Sequence, residues 1–229
     1  MEECLICARP LRYDARETEA RCAYCGGVFF TRVRCEAGHY VCDRCHAAQG
    51  VELICRACEG AASRNPVEIA QSLMAHPSIH MHGNEHHVLV GAALIAACAN
   101  AGAPVQRSAA LAEMARRGGE YPGGACGFWG CCGAAASAGM AFSILTGATP
   151  LSAASWGQAN RLTGRILEAI GALGGPRCCK RNSFTALRVA AQFLREECSL
   201  PLEVPEQIRC GHSARNAQCL REKCPYFAR

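Results

Sequence analysis

The chain carries no glycine-rich nucleotide fingerprint and no Ser–His–Asp pattern. Nucleotide-dependent transfer and triad hydrolysis therefore have no starting point in it. Its beginning, MEECLICARP, has no basic segment followed by an apolar one, so no secretory leader is expected there. Charge is missing from two long stretches, Val88–Val105 and Ala125–Ala148. The second is long enough to cross a bilayer. However, glycine and alanine dominate it, Cys131 and Cys132 interrupt it, and leucine and isoleucine are scarce, so its transfer into lipid is weakly driven. Closely packed buried helices are the expectation for both stretches, with no membrane partner. Net charge is only +5, and residues 1–62 hold eight of the 24 basic and nine of the 19 acidic side chains. The excess belongs to the remainder. It could attract a small anionic substrate, but it is no basic stripe, so nucleic acid is the less expected partner.

What the chain does have is cysteine, nineteen in 229 residues. Half the residues are apolar, which supports one substantial core and a small accessory domain. The odd thiol count and the absence of a leader favour a reducing, cytoplasmic setting and metal binding over disulfides. Paired thiols at short spacing put sulfur on both sides of a tight turn, which suits metal capture. The doublets Cys131-Cys132 and Cys178-Cys179 do not, because neighbouring side chains point apart.

The pairs crowd the amino terminus: Cys4/Cys7, Cys22/Cys25, Cys42/Cys45 and Cys55/Cys58, with Cys35 and His39 between the second and third. Two tetrahedral sites need eight ligands, and the segment offers ten, plus His46. One partition makes a zinc ribbon from Cys4, Cys7, Cys22 and Cys25 and draws its second site from Cys35, His39, Cys42, Cys45, Cys55 and Cys58. The other runs from Cys22 to Cys58 in a cross-braced spacing similar to a RING domain, leaving Cys4 and Cys7 over. The first uses the amino-terminal pair and is preferred. Either way zinc supplies most of the folding free energy of a module spanning residues 1–62, zinc-ribbon-like or treble-clef-like, because large apolar residues are few. Such a module can recruit a protein partner or cap the next domain. Tyr24, Phe29, Phe30 and Tyr40 serve as core or contact residues.

From Asn65 the periodicity becomes helical, and β-branched alternation is rare. Helices are expected over 66–74, from near Asn84 to Gly102, and over 108–117, 132–145, 151–173 and 183–197. The fold class is thus mainly α, with a helical domain over residues 63–229 that carries a candidate metal or iron–sulfur site. Just before the long helix, His80-Met81-His82-Gly83-Asn84-Glu85-His86-His87 gathers four histidines and a glutamate. Imidazole and carboxylate suit a divalent metal or proton transfer near neutral pH. His82, Glu85, His86 and His87 are the candidate acid/base or ligand groups, although the order is not H-E-x-x-H. Two glycine-led turns follow, Gly123–Gly133 with Cys126, Cys131 and Cys132, and Gly174–Ser183 with Cys178 and Cys179. Each leads into a helix, whose positive end lowers a thiol pKa. Asn182 or Ser183 would cap the second. If the turns meet, Cys126, Cys132 and Cys178 could ligate an iron–sulfur cluster, while Cys178 and Cys179 act as reactive thiols and Arg177, Lys180 and Arg181 hold an anion. The tail offers Cys210, His212, Cys219 and Cys224-Pro225, spaced for a ferredoxin-like cluster or a single zinc. Cys98 and Cys198 read as packing residues.

In CEAGHYVCDRCH (35–46), IHMHGNEHHVLVGAALIAA (79–97), GGACGFWGCCGAAASAG (123–139) and GGPRCCKR (174–181), the chain resembles an uncharacterised prokaryotic cysteine-rich family, domain of unknown function family 5714. The resemblance implies a metal protein with a shared internal site. It matches at Cys126 and Cys132, whereas Cys131 stands where the family often has a small residue and Cys58 is less typical than Cys55. The resulting expectation is a metal-dependent enzyme of redox or sulfur chemistry on a small anionic substrate. Its rival is a zinc-binding adaptor or nucleic-acid-associated protein.

Overall fold

A computed structural model describes residues 4–7 and 9–228. Their contacts divide the chain into two compact units, residues 1–48 and 49–229.

The first unit is built on a hairpin. Strands β1 (Leu11–Arg21) and β2 (Val28–Cys35) pair antiparallel, with Leu11 opposite Cys35 and Arg21 opposite Val28, and the register shifts between Tyr13 and Thr18. The turn between them is made by Cys22–Gly27. There the Gly26 N–H donates to the Cys22 carbonyl at 2.9 Å with Gly26 at φ +70°, a conformation that favours glycine. Helix α1 (Asp43–Gly60), which sequence periodicity did not foretell, begins just after the third of the closely spaced cysteine pairs opens at Cys42. In the described residues up to 48, the buried apolar side chains are Cys4, Cys22, Cys35, Cys42 and Ala47, whereas Tyr13, Tyr24, Val28, Phe29 and Phe30 are exposed. This unit has cysteine where other domains have a hydrophobic core.

The second unit is a helical assembly around α3 (His86–Asn100), which contacts α2 (Pro66–Met74), α4 (Arg107–Glu120), α6 (Gly133–Thr146) and α8 (Cys179–Cys198). Helix α3 is apolar all round, with twelve of its fifteen residues buried, as befits a helix enclosed by others. Its neighbours approach closely because the contacts are small. Gly91 lies against Met114 and Ser137, and its N–H donates to Ser137 Oγ at 2.9 Å. Helix α7 (Ala154–Leu173) is an outer, amphipathic cover that buries only Leu162 and Ile166. A short helix α5 (Ala125–Phe128) sits in the first glycine turn, and the tail from residue 199 is irregular apart from single 3-10 turns at Ser213–Arg215 and Arg221–Lys223. Asn65 caps α2 by accepting from Val67 and Glu68, with Pro66 at the first helical position.

The described residues contain eight α-helices, and the fold is mainly helical. The two uncharged stretches contain the largely buried helices α3 and α6, although the second opens with short α5 and an exposed turn at Phe128 and Trp129, and no described helix is long and apolar enough to cross a membrane. One boundary needs correction. Helix α8 starts at Cys179, so Asn182 and Ser183 lie inside it, and the cap is Cys178, whose Sγ accepts from the Arg181 N–H at 3.4 Å.

Candidate metal and thiol sites

In the first unit, ligand atoms fall into two groups, each with all atoms within 4.8 Å of one another: Cys4, Cys7, Cys35 and His39, and Cys22, Cys25, Cys42 and Cys45. The ribbon partition does not match these groups, and the cross-braced alternative shares one of them, since Cys22/Cys25 fall with Cys42/Cys45 while Cys4/Cys7 fall with Cys35/His39. The hairpin dictates this. It carries Cys22 and Cys25 to its tip and returns Cys35 beside the amino-terminal pair through the Leu11–Cys35 register. Cys55 and Cys58 lie about three turns further along α1 and join neither group. Cys58 packs in the hydrophobic core of the second unit, where burial pushes its thiol up to about 12.

The spacings within the groups match a tetrahedral ion. With Zn–S near 2.3 Å, two sulfurs around one zinc stand about 3.8 Å apart and a sulfur and nitrogen about 3.5 Å. The Cys7–Cys35 and Cys25–Cys42 sulfurs are both 3.8 Å apart, and His39 Nδ1 is 3.3 Å from Cys7 Sγ and 3.9 Å from Cys4 Sγ. Backbone N–H groups of Ile6, His39 and Cys42 donate to Cys4, Cys35 and Cys22 at 3.3–3.4 Å, as suits thiolates. Burial resists ionisation of Cys22, but donors from Cys42, Cys25 and Tyr24 win and bring it down to about 6, while Cys45 is pushed up to about 12 by burial and crowding sulfurs. These sulfurs are packed for a cation to neutralise. If the order is cross-braced, Cys7→Ser and Cys35→Ser each lower the metal content from two ions to one, and the double variant still holds one. Elemental analysis of the three proteins checks this.

In the second unit the buried polar residues concentrate in one region. Apart from Ser137, they are Glu85, His86, Lys180–Ser183, Thr185, His212 and Asn216. Lys180, at 1% exposure, fastens the histidine-rich loop to α8 by donating from Nζ to the carbonyls of Ile79 (3.3 Å) and His80 (2.8 Å). Glu85 is fully buried, with Oε1 accepting from the His80 N–H at 2.8 Å and lying 3.5 Å from His86 Nδ1. Burial opposes its charge, but His80 and His86 outweigh that and hold the carboxyl well below the usual range. His86 is held neutral by burial, with the Lys180 charge acting in the same direction. Its Nδ1 faces the Gly83 carbonyl at 3.1 Å and so carries the proton, which leaves the lone pair on Nε2. The ring's position at the first residue of α3 means that His82 and His86 do not share a helical face. His82 Nε2 instead lies 3.4 Å from Asn216 Oδ1.

His87 belongs to the first cysteine turn. Its Nδ1 lies 3.2 Å from the Tyr121 carbonyl, its ring meets Tyr121 edge-on, and Tyr121 Oη donates to the Cys131 carbonyl at 3.0 Å. A Cβ at Gly133 would overlap the His87 ring. Gly133→Ala is therefore expected to cost about 1–3 kcal/mol, read by urea unfolding, as other overpacked sites do. The doublet at the start of α8 divides as adjacent side chains should. Cys179 neighbours Cys132, Glu85 and the Gly83 N–H, and Cys132, itself near Cys126, accepts from Asn182 Nδ2 at 3.3 Å. Cys178 points elsewhere, accepting from Asn216 Nδ2 at 3.5 Å and neighbouring Cys224 and Cys210.

Two expectations for the second turn change. Burial overrides the helix end and pushes Cys178 and Cys132 up and Cys179 up to about 12, so none is a ready thiolate. Arg181 donates to the carbonyls of Gly174 (2.8 Å) and Pro176 (2.9 Å), and with Lys180 it is committed to holding backbone rather than to an anion. Cys98 is fully buried in the core and Cys198 packs against it. Sequence reasoning offered Asn182 only as a cap and missed Asn216, although both amides reach sulfur; nothing in their local pattern points to that role.

These features define a mainly helical protein with Cys/His groups able to coordinate metal. Residues 54–227 match the model of a family described as a family of unknown function, DUF5714, and the chain belongs to that family. Both cross-braced groups lie before the matched region. No curated protein and no solved structure matches the chain.

Proposed function

We propose that this chain is a metal-dependent enzyme of redox or sulfur chemistry. In this reading zinc holds a module over residues 1–62, and the working centre belongs to a helical domain over residues 63–229, where the histidine loop meets Cys126, Cys132 and Cys179. One observation carries it. Asn84 Nδ2, Glu85 Oε2 and His86 Nε2, from three consecutive residues, are buried with no hydrogen-bond partner. Buried polar atoms are rarely left so, and a bound ion, water or substrate would satisfy them. His86 Nε2 is the proton acceptor, Glu85 holds the negative charge beside it, and the three thiols bind the centre or carry sulfur. Zinc fits the sulfur-rich tetrahedral groups but has no redox chemistry, so a redox role needs another centre. Arg177 and the positive balance of this region support a small anionic substrate. All nineteen cysteines are free, in keeping with a reducing compartment such as the cytoplasm.

The test uses the full chain purified without oxygen, with electrochemical titration and chemical labelling of persulfides. The expected result is a reversible redox response, or a sulfur-loaded thiol, that is lost in Cys132→Ser, Cys179→Ser and His86→Gln. A protein with zinc alone and neither signal overturns the reading. A second reading, partner docking by the zinc module, is favoured by Tyr24 and Phe30, 58% and 73% exposed on the hairpin unit. Replacing both with serine would then leave metal content unchanged and abolish recruitment.

A further inference from the structure

We infer that the carboxy-terminal tail and the start of α8 form an iron–sulfur cluster site whose four ligands are Cys178, Cys210, Cys219 and Cys224. It is separate from the Cys126–Cys132–Cys179 centre and does not rest on it. The four cysteines come from two segments, 178 and 210–224, yet all line a single small cavity. They form none of the groups whose ligand atoms lie within 4.8 Å of one another, so they are not gathered around a single ion. A cluster removes that conflict, because each thiolate binds its own iron and the ligand sulfurs stand further apart than around one metal.

The surroundings suit thiolate ligands. Cys178 Sγ accepts from the Arg181 N–H at 3.4 Å and from Asn216 Nδ2 at 3.5 Å, and Cys219 Sγ accepts from the Arg221 N–H at 3.4 Å. Hydrogen bonds to sulfur and nearby charge are among the levers that set a cluster's potential. Arg181 lines the same cavity, and Asn216 is buried to 4% exposure, too enclosed to be an incidental neighbour. The tail is pinned to α8, with Cys210 N–H donating to the Tyr226 carbonyl at 2.7 Å and the hydroxyls of Tyr226 and Thr185 2.9 Å apart. It contains only two single-turn 3-10 helices, so little regular structure otherwise fixes these cysteines in place.

The competing assignment is one zinc on Cys210, His212, Cys219 and Cys224. His212 argues against it. Arg215 donates to His212 Nδ1 at 3.1 Å, so the neutral ring carries its proton on Nε2 and neither nitrogen offers a free lone pair.

The experiment is reconstitution of the anaerobic full chain with ferrous iron and sulfide, followed by iron and sulfide analysis, visible absorption and Mössbauer spectra. The expected result is a cubane-type cluster of about four irons. It should lose most of its iron and visible band in Cys210→Ser, Cys219→Ser and Cys224→Ser, and keep both in Cys126→Ser and Cys132→Ser. Asn216→Ala keeps all four sulfurs and removes one N–H donor. It should retain the cluster at a lower midpoint potential, because that donor stabilises the more negative reduced form, and it gives a second readout if the cysteine variants fail to fold. Iron that survives the Cys219 and Cys224 substitutions, a single zinc lost in His212→Ala, or no iron at all overturns the assignment. A cluster dependent instead on Cys132 and Cys179 sinks this site while sparing the proposed centre. A tail cluster in a protein whose redox and persulfide signals ignore Cys132 and Cys179 does the reverse.

Discussion

Withholding metal from the amino-terminal cysteine groups is expected to unfold the hairpin while the helical unit stays folded. The reason is what this unit buries. Four cysteines and Ala47 are its buried apolar side chains among the described residues, and the aromatic side chains of its strands face solvent. Hydrophobic burial therefore offers little to offset the chain entropy of ordering some forty residues. A structural zinc site supplies on the order of 10–16 kcal/mol of apparent binding free energy, and zinc bound by these groups would contribute it as folding free energy. Sulfur packing alone acts the other way, since Cys7, Cys42 and Cys45 are each pushed up by neighbouring sulfurs or burial when no cation balances them. Amide NMR of the full chain during titration with a strong chelator would show the β1–β2 resonances collapsing to unfolded shifts, with α3 and α6 unchanged. A hairpin that keeps its dispersed shifts without metal would show that we have misjudged what folds it.

The same imbalance explains why the candidate ligands were legible in the sequence while their full grouping was not. Short cysteine spacing identifies a knuckle, because it depends on a few local dihedrals. Which knuckles come together depends on where the hairpin returns the chain, and that is set by the Leu11–Cys35 pairing and the register shift between Tyr13 and Thr18. Helix α1 hid in a charged stretch with weak periodicity, so Cys55 and Cys58 looked like available ligands when helix geometry carries them away. The buried helices were plain from their uncharged alanine-rich runs, to within two or three residues at most ends. Helix α8 was the exception. Its first turn is polar yet buried, and Cys178 rather than Asn182 caps it. Similarly, the basic residues of GGPRCCKR invite an anion in sequence, whereas in the fold Lys180 and Arg181 satisfy carbonyls that no one-dimensional pattern could point to.

Those buried cations also set the largest single-residue effect expected in the helical unit. Glu85→Ala should destabilise it by about 3–5 kcal/mol at pH 7, the usual cost of removing one member of a buried charged set. The loss leaves the His80 N–H without its acceptor and Lys180, 1% exposed, without the carboxylate whose attraction opposes its desolvation. Adding Lys180→Met to the variant should recover part of the loss, because no unbalanced charge then remains. The pH profile separates the two groups. Glu85 has a folded pKa below its unfolded value of about 4.3, so its contribution is complete above that pH and is lost as pH falls towards the folded value. Glu85→Gln should therefore flatten the acid limb. Burial brings Lys180 down to about 8 against an unfolded value of about 10.4. Between those values the unfolded chain binds the extra proton, so wild-type stability gains a rising component with pH that Lys180→Met removes. Urea unfolding of the full chain followed by helical circular dichroism from pH 3 to 10 reads both limbs. Parallel pH curves for wild type and both variants, or a Glu85→Ala loss below about 1 kcal/mol, would mean that solvent rather than the protein satisfies these charges.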